Sequence, residues 1–268
     1  MSPSDRKAGR ASSKTPDGRM SLGQHLVELR NRAMIAAAGV LLAAIAGWFL
    51  QPFVWNALSA PIHEIAREHH NATINYPSLT AAFDLRMQLS IYIGIFISSP
   101  LWLYEIFAFL TPGLNSKEKR YVFGFFFSAI PLFLGGCVFG WYIAPHIVAL
   151  FASFVPGQDS SILTASDYFN FILKLVLAVG VAFVSPVFLV LLNMIGILSA
   201  KAIIKAWRWA ILASILFAAL ATPSTDVVSM MLLAVPLIVL YFVAWGVAWL
   251  HDRRAARVAS RLDAGLAT

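Results

Sequence analysis

Two carboxylates stand in surroundings that are otherwise cationic. Glu118 lies in Lys117-Glu118-Lys119-Arg120, one anion among three cations, and Glu28 lies in Glu28-Leu29-Arg30-Asn31-Arg32. An acid placed this way can pair internally or take an incoming cation. Among incoming cations a guanidinium fits best, because its planar fork reaches both carboxylate oxygens where an ammonium offers one point charge. For Glu28 both readings stand: Arg32 follows at i,i+4, and an internal pair there contributes about 0.2–0.5 kcal/mol. For Glu118 the alternative is a solvated charge at a helix end. Exposed pairs give only about 0.2–1 kcal/mol each. A receptor built on these acids therefore needs partial shielding, and an apolar ligand segment lying beside them.

Other chemistries find few residues to carry them. The chain has no phosphate-cradling glycine loop ending in Lys-Ser or Lys-Thr, which argues against nucleotide-driven transport by this chain alone. It also lacks the zinc-protease helix motif and the serine-hydrolase elbow, and no nucleophile has a nearby base. The reading is non-enzymatic. Cys137, the one cysteine, sits in an apolar run and reads as a packing residue, so no disulfide framework exists. The six histidines show no ligand spacing, and neither a metal nor a cofactor is expected.

The elements that must position the two acids are membrane helices. The 268 residues are 59% hydrophobic and 12% charged, with a mean hydropathy of +0.75, against roughly 25% charge in soluble chains. The net charge of +7 reads as membrane topology and not as affinity for nucleic acid. Residues 1–20 form a polar tail without the apolar centre of a cleavable signal sequence. Ser21 and Gln24 form a capping box, and Leu22, Leu26, Leu29 and Ala33 share one face of a helix on the membrane surface.

Six apolar spans follow: Met34 to Leu50, and on toward Trp55; Leu89 to Phe109; Val122 to Ala149; Phe169 to Ile197; Trp207 to Ala221; and Val227 to Leu250. Pro61 to His70 reads as a separate short helix, with Pro61 in its first turn. Pro131 and Pro145 should bend the third span, and Thr111-Pro112-Gly113 stops the helix of the second. The fifth span has 15 residues, about 22 Å of helix against a hydrocarbon core of roughly 30 Å. Lys and Arg concentrate in the amino tail, the loops after the second and fourth spans, and the carboxyl tail at residues 253–268. Both termini are then cytoplasmic. No charge falls near the middle of a span. A small-solute secondary transporter, the competing reading, would show an inverted repeat with broken helices at the midplane, and no such pairing of halves is visible.

From Ser21 to about Asp252 the chain resembles the TatC family, the polytopic core subunits of twin-arginine protein translocases. The carriers are His25-Leu26-Val27-Glu28-Leu29-Arg30-Asn31-Arg32, Ser59-Ala60-Pro61, Ser99-Pro100 through Arg120, Phe183-Val184-Ser185-Pro186 and Thr222-Pro223-Ser224-Thr225-Asp226. The resemblance implies an all-α integral membrane protein of six helices. It also implies a concave array made partly of short helices, the fifth and the sixth, in the cytoplasmic membrane of a prokaryote. It implies a receptor for signal peptides bearing paired arginines on folded cargo, driven by the proton gradient. TatA- and TatB-type single-span partners and self-association in the complex come with it. Matched residue by residue, Glu28 and Glu118 correspond to the family's arginine-contacting acids. Phe109, Pro61 and Asp226 fall on further positions the family uses, Pro61 as a structural one.

Two departures concern partner docking. Val184 stands where the family often has a glutamate, and Met230 where it often has a glutamine. Docking near Val184, Thr222, Asp226 and Met230 would then rest on packing, with Thr222 and Ser229 as the remaining polar groups.

Overall fold

The computed structural model describes residues 22–69, 73–75, 78, 80–109, 116–153, 162–221 and 227–266. At several element ends, residues 60–69 and 116–121 among them, it describes the backbone alone. Among the described residues eight helices carry the fold: α1 (Leu22–His69), α2 (Ala81–Ile97), α3 (Ser99–Phe109), α4 (Ser116–Ser153), α5 (Ala165–Met194), α6 (Ala200–Lys205), α7 (Trp207–Ala221) and α8 (Val227–Leu266). Two short strands, β1 (Thr73–Asn75) and β2 (Ile162–Thr164), pair in parallel with Thr73 opposite Ile162. They tie the connection after α1 to the one after α4.

Within α1, α4, α5 and α8 lie four stretches long and apolar enough to cross a bilayer; α2 and α3 together make a bent fifth, and α7 is a shorter apolar helix. The bend between α2 and α3 is 57°. Its cause is local. Pro100 has no N–H to return to Phe96, while Leu101 and Trp102 both bond the Ser98 carbonyl. The Ile95 carbonyl takes the Trp102 indole N–H at 3.0 Å. That indole also meets Phe133 of α4 edge-on, so the corner is held from outside as well.

The separate short helix expected from Pro61 is absent. α1 runs unbroken through Pro52 and Pro61 to His69. An interior proline costs a helix roughly 3 kcal/mol, and packing offsets that cost here. Gln51, Leu58 and Ser59 are buried, and Tyr168 of α5 donates from its hydroxyl to the Leu58 carbonyl. The sixth helix is not short either, because His251 to Leu266 continues the turns of α8. Pro131 and Pro145 both lie inside one continuous α4.

α4 packs most extensively on α5, and α1 on α2. Lipid tails are as apolar as leucine, so association here depends on close approach more than on leaving water. Gly94 of α2 shows how close: an added Cβ would fall 2.7–2.9 Å from the backbone of Val40 and Ala44. Gly136 of α4 plays the same part against Gly180 and Phe183 of α5. One buried cluster gathers Leu58, Leu85, Leu89, Phe169 and Leu233. A second gathers Leu103, Phe107, Val122, Phe133, Val184 and Leu191. The second cluster supports the candidate site.

Candidate functional site

Three elements meet at one end of the molecule. The start of α1 presents His25, Glu28 and Arg32, and α3 presents Glu105 and Phe109. Val122, in the first turns of α4, shares a buried cluster with Leu103 and Phe107 of α3. The helical period puts Glu28 and Arg32 on one face of α1, and their internal pair is formed. Nε and NH2 of Arg32 both lie 2.7 Å from Oε1 of Glu28. The same guanidinium then crosses to another helix, where NH1 donates to Oε2 of Glu105 at 2.8 Å.

Burial differs along this chain of charges. The Glu28 side chain is 30% exposed and that of Glu105 only 10%. Glu105 is the more deeply buried of the two acids, and Arg32 is its counter-ion. Glu28 is the acid that water, or a ligand, can reach. His25 stacks on Phe109 with ring centroids 4.3 Å apart, forming an aromatic step close to the acids.

The structure brings Glu28 and Phe109 to the same end. Glu118 is the third residue of α4, and its side chain lies outside the described residues, as do Thr222 and Asp226. Pro61 lies within α1, its side chain likewise outside. Val184 is buried in the cluster that holds Leu103, Phe107 and Phe133, and Met230 is half-buried against the larger cluster. Among the described residues no group of His, Cys, Asp and Glu could hold a metal ion.

Sequence reasoning missed the Arg32–Glu105 bond, which spans 73 positions, and the His25–Phe109 stack. The one available signal was Glu105 itself, an acid inside an apolar span, and nothing in the spacing names Arg32 as its partner.

Comparison with known proteins agrees with this architecture. The family model of the Sec-independent protein translocase protein TatC matches residues 24–236. The chain belongs to the TatC family. A TatC from Xylanimonas cellulosilytica is 44% identical over 92% of this chain and 91% of its own length. TatCy of Bacillus subtilis is 34% identical over 83% of this chain and 86% of its own. A crystal structure of the twin arginine translocase receptor TatC, in the detergent DDM, superposes with a TM-score of 0.73 at 27% identity. It covers 84% of this chain and 99% of the other. As a TatC-family member the chain is a component of a protein translocase, and its apolar helices make it a multi-pass membrane protein.

Proposed function

We propose that this chain is the signal-peptide receptor of a twin-arginine translocase, with Glu28 and Glu118 taking the paired arginines of folded cargo. The observation that carries the reading is the state of Glu28. Its Oε1 accepts the Nε–H of Arg32, with NH2 of the same guanidinium equally close, yet a carboxylate has about four acceptor positions. Oε2 has no partner among the described residues, and the side chain stays in reach of solvent. The second arginine goes to Glu118, whose basic flanks leave it the one acid of its segment. Phe109 and its stacked His25 offer an apolar step toward the spans, against which the hydrophobic part of a signal would lie.

The same reading includes six spans with both termini cytoplasmic in a prokaryotic inner membrane, supported by the basic loops and tails. The proton gradient drives transport, and the subunit self-associates and works with TatA- and TatB-type partners. Those partners meet it near Val184, Thr222, Asp226 and Met230, with no catalytic step in this chain.

The test is binding of a fluorescent twin-arginine peptide to the full chain in liposomes. Glu28→Gln with Glu118→Gln should lose at least about a hundredfold in affinity, two charge-assisted contacts being removed, while membrane insertion is unchanged. Wild-type binding by the double variant refutes the site.

A further inference from the structure

Arg32 raises a question of sign. It places a positive charge on the acid that is to receive a cation. If charge alone mattered, Arg32 would compete with the ligand, and removing it would tighten binding. The geometry points the other way. Arg32 fills only Oε1 of Glu28, and does so with Nε and NH2 together. Its remaining NH1 is committed to Glu105, whose side chain is only 10% exposed. The ligand has no need to displace Arg32, and displacing it would strand a buried carboxylate.

We propose that Glu105 and Arg32 are positioning residues that set the guanidinium preference of Glu28: Glu105 on α3 fixes Arg32, and Arg32 fixes the Glu28 carboxylate on α1. The inference rests on the receptor reading above. A rigid guanidinium with two nitrogens against Oε1 and a third on Glu105 holds that oxygen in one place, which a lysine's single rotatable ammonium cannot do. With Oε1 held, Oε2 presents its lone pairs in a set direction. A guanidinium, whose N–H groups are themselves fixed in direction, can set two of them against that one oxygen, as Arg32 sets Nε and NH2 against Oε1. A freely rotating carboxylate would take an ammonium nearly as well. The bracket also ties the start of α1 to α3, so Glu28 keeps its place relative to Phe109 and His25.

Full-length protein in liposomes is titrated with two peptides that differ only in carrying Arg-Arg or Lys-Lys. Glu105→Gln keeps the shape and removes the charge; Arg32→Lys keeps the charge and removes the fork. Each should weaken the Arg-Arg peptide about tenfold and bring the ratio of the two affinities toward one. A fault in folding would weaken both peptides alike. Either variant binding the Arg-Arg peptide at wild-type strength or tighter overturns the inference, as does equal loss for both peptides. Glu28→Gln run alongside separates the levels. If it binds normally, the receptor reading falls and this inference with it. If it loses the peptide while Glu105→Gln and Arg32→Lys keep it, only the positioning inference falls.

Discussion

Glu28 and Asp252 are two acids of nearly equal exposure, 30% and 37% at the side chain, and their oxygens are occupied differently. Asp252 has both oxygens occupied by groups that are not ligands. Oδ2 accepts the Ala200 backbone N–H at 2.8 Å, at the start of α6, and Oδ1 accepts the Asn193 amide at 2.9 Å. Asn193 is buried and also donates to the Leu198 carbonyl, and Tyr241 of α8 donates to the Ile203 carbonyl. Together these bonds pin the α5–α6 turn to α8. Glu28, by contrast, spends one oxygen on a guanidinium and keeps the other. The role proposed for Glu28 rests therefore not on exposure but on unspent acceptor capacity, on a carboxylate that Arg32 holds by its other oxygen.

The contrast can be broken from either side. The largest stability change should come from Asp252→Ala, which leaves the Ala200 N–H without its acceptor and the Asn193 amide with only the Leu198 carbonyl. A loss of about 2 kcal/mol is expected, read as earlier thermal unfolding in detergent, with affinity for a twin-arginine peptide unchanged. A fall in affinity matching that of Glu28→Gln would erase the distinction. Glu28→Gln should invert the pattern. Its amide oxygen still accepts from Arg32, so unfolding moves by less than about 0.5 kcal/mol, while peptide affinity drops about tenfold.

Val184→Ala should cost about 1 kcal/mol, since it empties a small volume in the cluster that holds Phe107 and Phe133. Peptide binding is expected to survive it, and loss of binding would mean the second cluster supports the site more directly than packing implies. The smallest effect belongs to Phe109→Leu, which removes the stack on His25 for about 0.5–1 kcal/mol. It should weaken the peptide by less than Glu28→Gln does.

How much of this was legible in the sequence depended on how local the cause was. α7 occupies Trp207–Ala221, the run of apolar residues read directly, because the length of an apolar stretch needs no partner to define it. α8 begins at Val227 for the same reason. Prolines were less readable. Pro131, Pro145 and Pro186 sit inside continuous helices, whereas Pro100 marks a sharp corner. At Pro100 the locally broken turn is held by the edge-on contact of Trp102 with Phe133, which sequence spacing does not bring together. Pro61 failed to start a helix because Tyr168, far along the chain, meets α1 one turn earlier. The β1–β2 pair is three residues long on each side, too short to leave an alternating pattern. At the site, the Glu28–Arg32 pair followed from the helical period alone, while Glu105 joined it only through tertiary packing.

The corner between α2 and α3 carries an optical probe of its own. Straightening it would pull the Trp102 indole from the Ile95 oxygen and shift the ring away from Phe133. Indole emission responds to both changes. In a variant that keeps Trp102 and replaces the other seven of the eight tryptophans, its colour and quenching would follow the angle of this corner without any attached label.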